Sequence, residues 1–225
     1  MTLSQTRRQA LHILPAAAAF AQTTPSAPPP QEITLVKDWV IKAHQRKLDP
    51  MRLLLKQSPE LIHASYDWGA GDWEGALQAA AHTGSHDMAR FLLDSGSRLD
   101  LLAAAMLGEL AFVKLSLQLV PNSIHLRGAH GIPLLSHAIA GAAPAAPVFE
   151  LLIDSGADVN AVHNNGMTPI ALAVQTGRRD TVRRLLAKGA NPSVRAKNGA
   201  TPLSLALKLG DPAILSDLKS AGATE

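Results

Sequence analysis

The strongest constraint in this chain is that it repeats itself every 33 residues. Gly166-Met167-Thr168-Pro169-Ile170-Ala171-Leu172-Ala173 recurs 33 residues later as Gly199-Ala200-Thr201-Pro202-Leu203-Ser204-Leu205-Ala206. The same offset carries Gly177 to Gly210, Leu185 to Leu218, and Gly189-Ala190 to Gly222-Ala223, and Gly156-Ala157 lies 33 before Gly189. Earlier copies are looser. Gly131 precedes Gly166 by 35, the two extra residues falling in the Ala/Pro-rich stretch 142–147. Gly75-Ala76-Leu77-Gln78-Ala79-Ala80-Ala81, Gly84, Leu92-Leu93 and Gly96 follow the same frame. A unit this small cannot bury its own apolar face, so the chain must stack each copy on the next.

The local chemistry of one copy is that of two short helices. Thr168 and Thr201 stand where a hydroxyl can cap a helix, and Pro169 and Pro202 suit a first turn. Alanines along the first helix let neighbouring helices approach closely. Gly177 and Gly210 end it in a tight turn, and paired leucines of the second helix bury against the next unit. The pattern resembles the ankyrin repeat, with its G-x-T-P-L-H-x-A-A-x-x-G opening and V-x-x-L-L-x-x-G-A close, over nearly everything from Ile33 to Ala223. Tetratricopeptide repeats share the period but lack the Thr-Pro start and the Gly-Ala finger. The resemblance implies an all-α solenoid of helix–turn–helix units with short β-hairpin fingers.

Six units fit the frame: 33–65, 66–98, 99–127, 128–162, 163–195 and 196–225. The third is short, since Gly84 to Gly108 spans 24 residues, nine fewer than the period. The deficit lies between Gly96 and Gly108, where a finger belongs, so helix is expected to follow helix almost directly there. In unit one, Lys37, Lys42, Gln45, Arg46 and Lys47 make a wet first helix; in unit six, Lys219 replaces the apolar residue of inner units. Both ends read as polar caps, and the repeat domain is expected to be complete within the chain.

Composition agrees with thin helical layers. Of 225 residues, 47% are hydrophobic but only 4% aromatic, so aromatic side chains supply little of the core. The absence of cysteine excludes disulfides, thiolate metal sites and a cysteine nucleophile. Residues 1–21 read as an export signal, with Arg7-Arg8, an apolar stretch from Ala10 and small residues at Ala19 and Ala21. Cleavage is expected before Gln22, placing the protein in the periplasm or outside a bacterial cell. The stretch Thr6-Arg7-Arg8-Gln9-Ala10-Leu11 is similar to a twin-arginine signal, with Ala10 for the usual Phe; an ordinary secretory signal is the other reading. Residues 22–32 form a proline-rich spacer. No apolar run reaches the roughly 20 residues of a membrane span. The net charge of +3 falls to +1 without residues 1–21, leaving 19 basic against 18 acidic groups and no case for nucleic acid.

The sequence offers little chemistry. His82 and His86 have suggestive spacing, but Gly84 lies between them at a turn, so they do not form a ligand pair on one helix. A metal site would need His82, His86, His130 and His137 to converge, and none is expected; His125, His130, His137 and His163 read as finger and inner-helix hydrogen-bonding groups. Asp87 and Asp180 fall at outer-helix starts, where a carboxylate offsets the helix dipole. Arg178, Arg179, Arg183, Arg184 and Lys188 form either a solvated face or an attractor for an acidic partner. No cofactor and no catalytic residue is expected, and the protein reads as a non-enzymatic binding module, monomeric by itself.

The segment Tyr66-Asp67-Trp68-Gly69-Ala70-Gly71-Asp72-Trp73-Glu74 holds two of the three tryptophans and the only tyrosine, at a finger position. Trp68 and Trp73 are either interface anchors or packing onto the finger base. Trp73 occupies a consensus glycine position, which puts the usual hairpin of that unit in question. The resemblance implies that an unidentified protein partner meets the concave face of fingers and inner-helix ends. That face maps to Trp68, Asp72, Trp73, Glu74, His82 and Thr83 in unit two, His130 and Ile132 in unit four, Asn164, Asn165, Met167 and Gln175 in unit five, and Lys197 and Asn198 in unit six. An accessory, immunity or stabilising subunit of an exported enzyme is the alternative role, with a His-based metal handler ranked behind it.

Overall fold

The computed structural model describes residues 32–224, so the signal and, apart from Glu32, the spacer lie outside the described residues. Twelve α-helices follow in sequence: α1 (Ile33–His44), α2 (Leu48–Gln57), α3 (Ala76–His82), α4 (His86–Asp94), α5 (Leu101–Leu107), α6 (Leu110–Leu119), α7 (Leu134–Ala140), α8 (Ala146–Asp154), α9 (Pro169–Gln175), α10 (Arg179–Ala187), α11 (Pro202–Leu209) and α12 (Pro212–Ser220). They pair consecutively, and the odd-numbered helices stack in order, α1 on α3 through to α9 on α11. These are the inner helices; the even-numbered ones form an outer layer. No described helix is long and apolar enough to cross a membrane.

Small side chains make the inner stack possible. Ala79, Ala80 and Ala81 on α3, Ala103, Ala104 and Ala105 on α5, Ala173 on α9 and Ala206 on α11 are all fully buried. The core divides into two clusters that meet at α5. Ala103, Met106 and Leu107 face the N-terminal cluster, which centres on Trp39, Met51, Leu61, Met88 and Leu92. Leu102, Ala104 and Ala105 face the other, which runs through Leu135, Leu152, Ile170 and Leu185 to Leu218. The first helix is wet on one face only, because Val36, Trp39, Val40 and Ala43 are buried beneath its lysines.

Where helix pairs turn, backbone meets backbone. A Cβ at Gly141 would lie 1.9 Å from the Met106 carbonyl oxygen, and one at Gly84 would lie 2.3 Å from that of Ala140. Gly141 has ordinary helical dihedrals, so its requirement is purely steric. The threonine caps differ between copies. Thr201 accepts from the Ser204 amide at 3.1 Å, and Ser204 accepts in return from the Thr201 amide at 2.9 Å. Thr168 makes no cap bond and its buried hydroxyl has no partner; unit five has Ala171 where unit six has Ser204, so the reciprocal pair cannot form. Asp100 and Asp211 cap α5 and α12 instead, accepting from Ala103 at 2.7 Å and from Ala213 at 2.9 Å.

The fingers correct one expectation. The unit whose hairpin Trp73 put in question has the one regular strand pair among the described residues: β1 (Ser65–Asp67) antiparallel to β2 (Trp73–Gly75), with Tyr66 opposite Glu74. Trp73 is accommodated because its side chain points to solvent, 60% exposed. The later fingers are tight turns closed by Gly128 to Ile132 at 2.9 Å, His163 to Met167 at 2.8 Å and Ala196 to Ala200 at 2.8 Å. In unit three, residues 95–100 join α4 to α5 without a finger. Three of the outer-helix cations are paired within the chain: Arg184 with Glu150 and Asp154, Lys188 with Asp154, Arg179 with Asp217. Arg178 donates to the Ile139 carbonyl.

Two histidines are sealed in the stack. His137 is 1% exposed, with Nδ1 donating to the Pro133 carbonyl at 3.0 Å, and His163 lies 2.8 Å from the Ser136 hydroxyl. Burial depresses the pKa of His137 to about 3; burial and the nearby Arg127 charge depress that of His163 to about 4. Both stay neutral in the fold and take up a proton on unfolding below the ordinary 6.5, so their contribution to stability is full above that pH and lost as it falls toward 4. Denaturant unfolding at pH 7 and pH 5 should therefore show His137→Asn losing about 2 kcal/mol less than the parent over that interval. Gly141→Ala should destabilise by about 3 kcal/mol in the same assay, because the new methyl has only backbone to displace.

Candidate functional site

The fingers are tied into a continuous edge. The Lys197 amide donates to the Asn165 carbonyl at 2.9 Å, linking unit six to unit five, and the Asn164 amide donates to the His130 carbonyl at 2.9 Å, linking five to four. With no finger in unit three, unit two reaches unit four directly. Both oxygens of Asp72 hold His130: Oδ1 accepts from its amide at 2.7 Å and Oδ2 faces Nδ1 at 2.9 Å. His130 takes a left-handed backbone, φ 58, to make this clasp.

The clasp completes a cluster. His44 ends α1, His82 ends α3, Glu74 lies on β2 and His130 tops the unit-four finger, and one potential ligand atom from each lies within 4.8 Å of all the others. Glu74 is the hub and is fully buried. Its Oε1 lies 3.1 Å from His82 Nδ1 and 3.3 Å from His44 Nε2, while Oε2 lies 3.3 Å from His130 Nε2. Trp68 fixes the carboxylate, its indole N–H donating to Oε2 at 2.7 Å. Tyr66 packs edge-on against Trp68 at 4.9 Å between ring centres, and the Trp68 ring borders His44 and His130 at 6.1 and 5.9 Å.

The electrostatics follow from this crowding. Burial alone would raise the Glu74 pKa, but the imidazoles of His44 and His82 outweigh it and hold the carboxyl well below its usual range. Burial works against charge on His44, yet Glu74 and the Val40 carbonyl together raise its pKa. Buried Oε1 has no hydrogen-bond partner although two imidazole nitrogens lie 3.1 and 3.3 Å from it. Their attraction is one of charge and proximity.

Of the residues assigned to the partner face, the structure draws Trp68, Asp72, Glu74, His82 and His130 into this cluster. Glu74 therefore turns inward and offers no surface, and Trp68 is half-buried. The indole of Trp73 stands free, beside a cleft of about 350 Å³ that lies between the fingers of units two and four and is lined by Gly71, Asp72, Gln78, Asp100 and Gly128. Asn164, Asn165, Gln175, Lys197 and Asn198 are exposed along units five and six, with Met167 and Ile132 half-buried among them. Asn165 and Asn198 hold their own turns, accepting from Met167 at 2.9 Å and Ala200 at 3.1 Å. The Thr83 hydroxyl donates back to Ala79 at 2.7 Å. A larger cleft of about 540 Å³, between α7–α8 and α9–α10, shares no residue with the cluster.

His44 was absent from the sequence-derived sites, whereas His86 and His137 do not join. His86 Nε2 reaches the Gly141 carbonyl at 2.8 Å and His137 is buried elsewhere. The available signal was register: His44 and His82 both close an inner helix. Trp68→Phe removes a hydrogen bond to a buried carboxylate and should cost about 2 kcal/mol in denaturant unfolding. Trp73→Phe at the exposed neighbour should change stability by less than about 0.5 kcal/mol.

A search of curated proteins returned no match. A family model for ankyrin repeats in three copies matches residues 101–196 and 135–224. The two matches together span more than half of the chain and cover the helix pairs from α5–α6 to α11–α12. The helix pairs, the Thr-Pro starts, the linked fingers and this match agree, and the chain belongs to the ankyrin-repeat family, whose repeats serve as protein–protein interaction modules.

Proposed function

We propose that this protein is an exported, non-enzymatic binding module that captures another protein along its finger edge. The observation that carries the reading is the row of side chains left exposed there: Trp73 at one end, then Asn164, Asn165, Gln175, Lys197 and Asn198. An exposed tryptophan beside a cleft is the kind of residue that anchors an interface, with the asparagines supplying hydrogen bonds around it. The edge is rigid because each finger is bonded to the next, so little conformational freedom is lost on binding. Export rests on residues 1–21 alone, through Arg7-Arg8, the short apolar stretch and Ala19-Phe20-Ala21.

Affinity capture from the extracytoplasmic fraction of the native cell tests both parts. The bait recovered from that fraction should begin at Gln22 and retain one stoichiometric protein. Trp73→Ala should weaken that complex by about tenfold or more, as loss of an aromatic anchor does. Leu115→Ala, on the outer helix α6, should leave it unchanged. A full-length chain confined to the cytoplasm would overturn the export reading. Equal capture by Trp73→Ala would overturn the choice of face.

A further inference from the structure

We propose that His44, His82, His130 and Glu74 bind one divalent transition-metal ion, zinc being the ion their donor set fits best. Three imidazoles and one carboxylate are a four-coordinate set for zinc, and imidazole nitrogen also suits copper and nickel. The spacing fits. Bonds of about 2.0–2.1 Å in a tetrahedron set neighbouring ligand atoms about 3.3 Å apart. From Glu74 Oε1, the His82 and His44 nitrogens lie 3.1 and 3.3 Å away, and His130 Nε2 lies 3.3 Å from the other oxygen of the same carboxylate. The widest separation among the four ligand atoms is no more than 4.8 Å, which modest side-chain rotation would close.

The surroundings point the lone pairs inward. A carbonyl oxygen can only accept, so His44 Nδ1, 2.9 Å from the Val40 carbonyl, carries a hydrogen. The same holds for His130 Nδ1 against the Asp72 carboxylate. In the neutral form of each ring the other nitrogen, Nε2, then presents a lone pair to the cluster. Two lone pairs aimed at a carboxylate repel it unless a proton or a metal ion lies between them. Backbone carbonyls and carboxylates on the far nitrogen are the outer partners that orient metal-binding histidines. Trp68 likewise restrains Glu74 through Oε2.

Glu74 Oε1 is the independent observation. It is a buried oxygen on a fully buried side chain, without a hydrogen-bond partner, among nitrogens 3.1 and 3.3 Å away. Leaving such an atom unsatisfied is costly, and a metal ion satisfies it together with all three rings. Access is from the finger side, where His130 is 35% and His44 25% exposed, against 11% for His82. The bound ion would join units one, two and four.

The test uses the full chain, stripped with chelator and dialysed. Zinc, titrated in competition with a chromophoric chelator of micromolar affinity, should bind at one ion per chain and raise the thermal midpoint. Cobalt should give the intense visible bands of a tetrahedral N/O site. His82→Asn and His130→Asn, confirmed folded by circular dichroism, should each lose the cobalt spectrum. Asp72→Asn should bind zinc about 10–100-fold more weakly, as loss of an outer partner does. His86→Asn and His125→Asn, outside the cluster, should bind as the parent does. Failure of the parent to bind zinc, cobalt, nickel or copper overturns the proposal. Binding that survives both ligand substitutions does so too. Because the cluster is assayed with metal alone, the outcome is separate from that of partner capture.

Discussion

Everything in this molecule depends on how closely one inner helix can lie on the next. The contact is made by alanine against alanine and by glycines whose missing side chains admit a neighbour's backbone carbonyl. Dispersion between small groups at full packing density replaces the large aromatic core of a globular domain. The arrangement also fixes the spacing of what projects from the helix ends. Because the helices stack in register, their last residues fall in a line, and the fingers that follow are near enough to bond to each other.

The shortened third unit breaks that regularity in a productive way. Residues 95–100 span the gap between α4 and α5 without a finger, so Asp72 faces His130 with nothing between them. The same step brings the unit-four finger over the ends of α1 and α3. A solenoid of identical units would hold His130 one finger farther away. The mixed cluster of three imidazoles and a buried carboxylate thus depends on an irregularity in the repeat, and so does the cleft beneath Trp73.

Much of the fold was legible because its determinants are local. The glycines, the Thr-Pro starts and the 33-residue period each act within a few residues, and the helix pairs follow from them. The cap at Thr201 was readable for the same reason, while its counterpart at Thr168 makes no cap bond and, with alanine at position 171, has no serine to return one. The cluster was not legible, since its members come from three units and no two are neighbours on one helix. Attention to spacing picked out His82 with His86, yet the partner of His82 is the register-equivalent His44. Glu74 read as an exposed finger acid because strand alternation was not expected at a position opened by Trp73. Once β2 forms, alternation alone turns Trp73 outward and Glu74 inward.

The Asp72–His130 clasp joins residues 58 positions apart in a chain whose other contacts lie mostly between adjacent units. Repeat arrays normally tolerate fraying from an end, because each unit answers only to its neighbours. Here the geometry around Glu74 is complete only when units one, two and four have all docked through an intact unit three. The cluster therefore registers assembly: a misaligned or half-formed stack cannot reproduce it, and whatever engages those four side chains engages only the finished array.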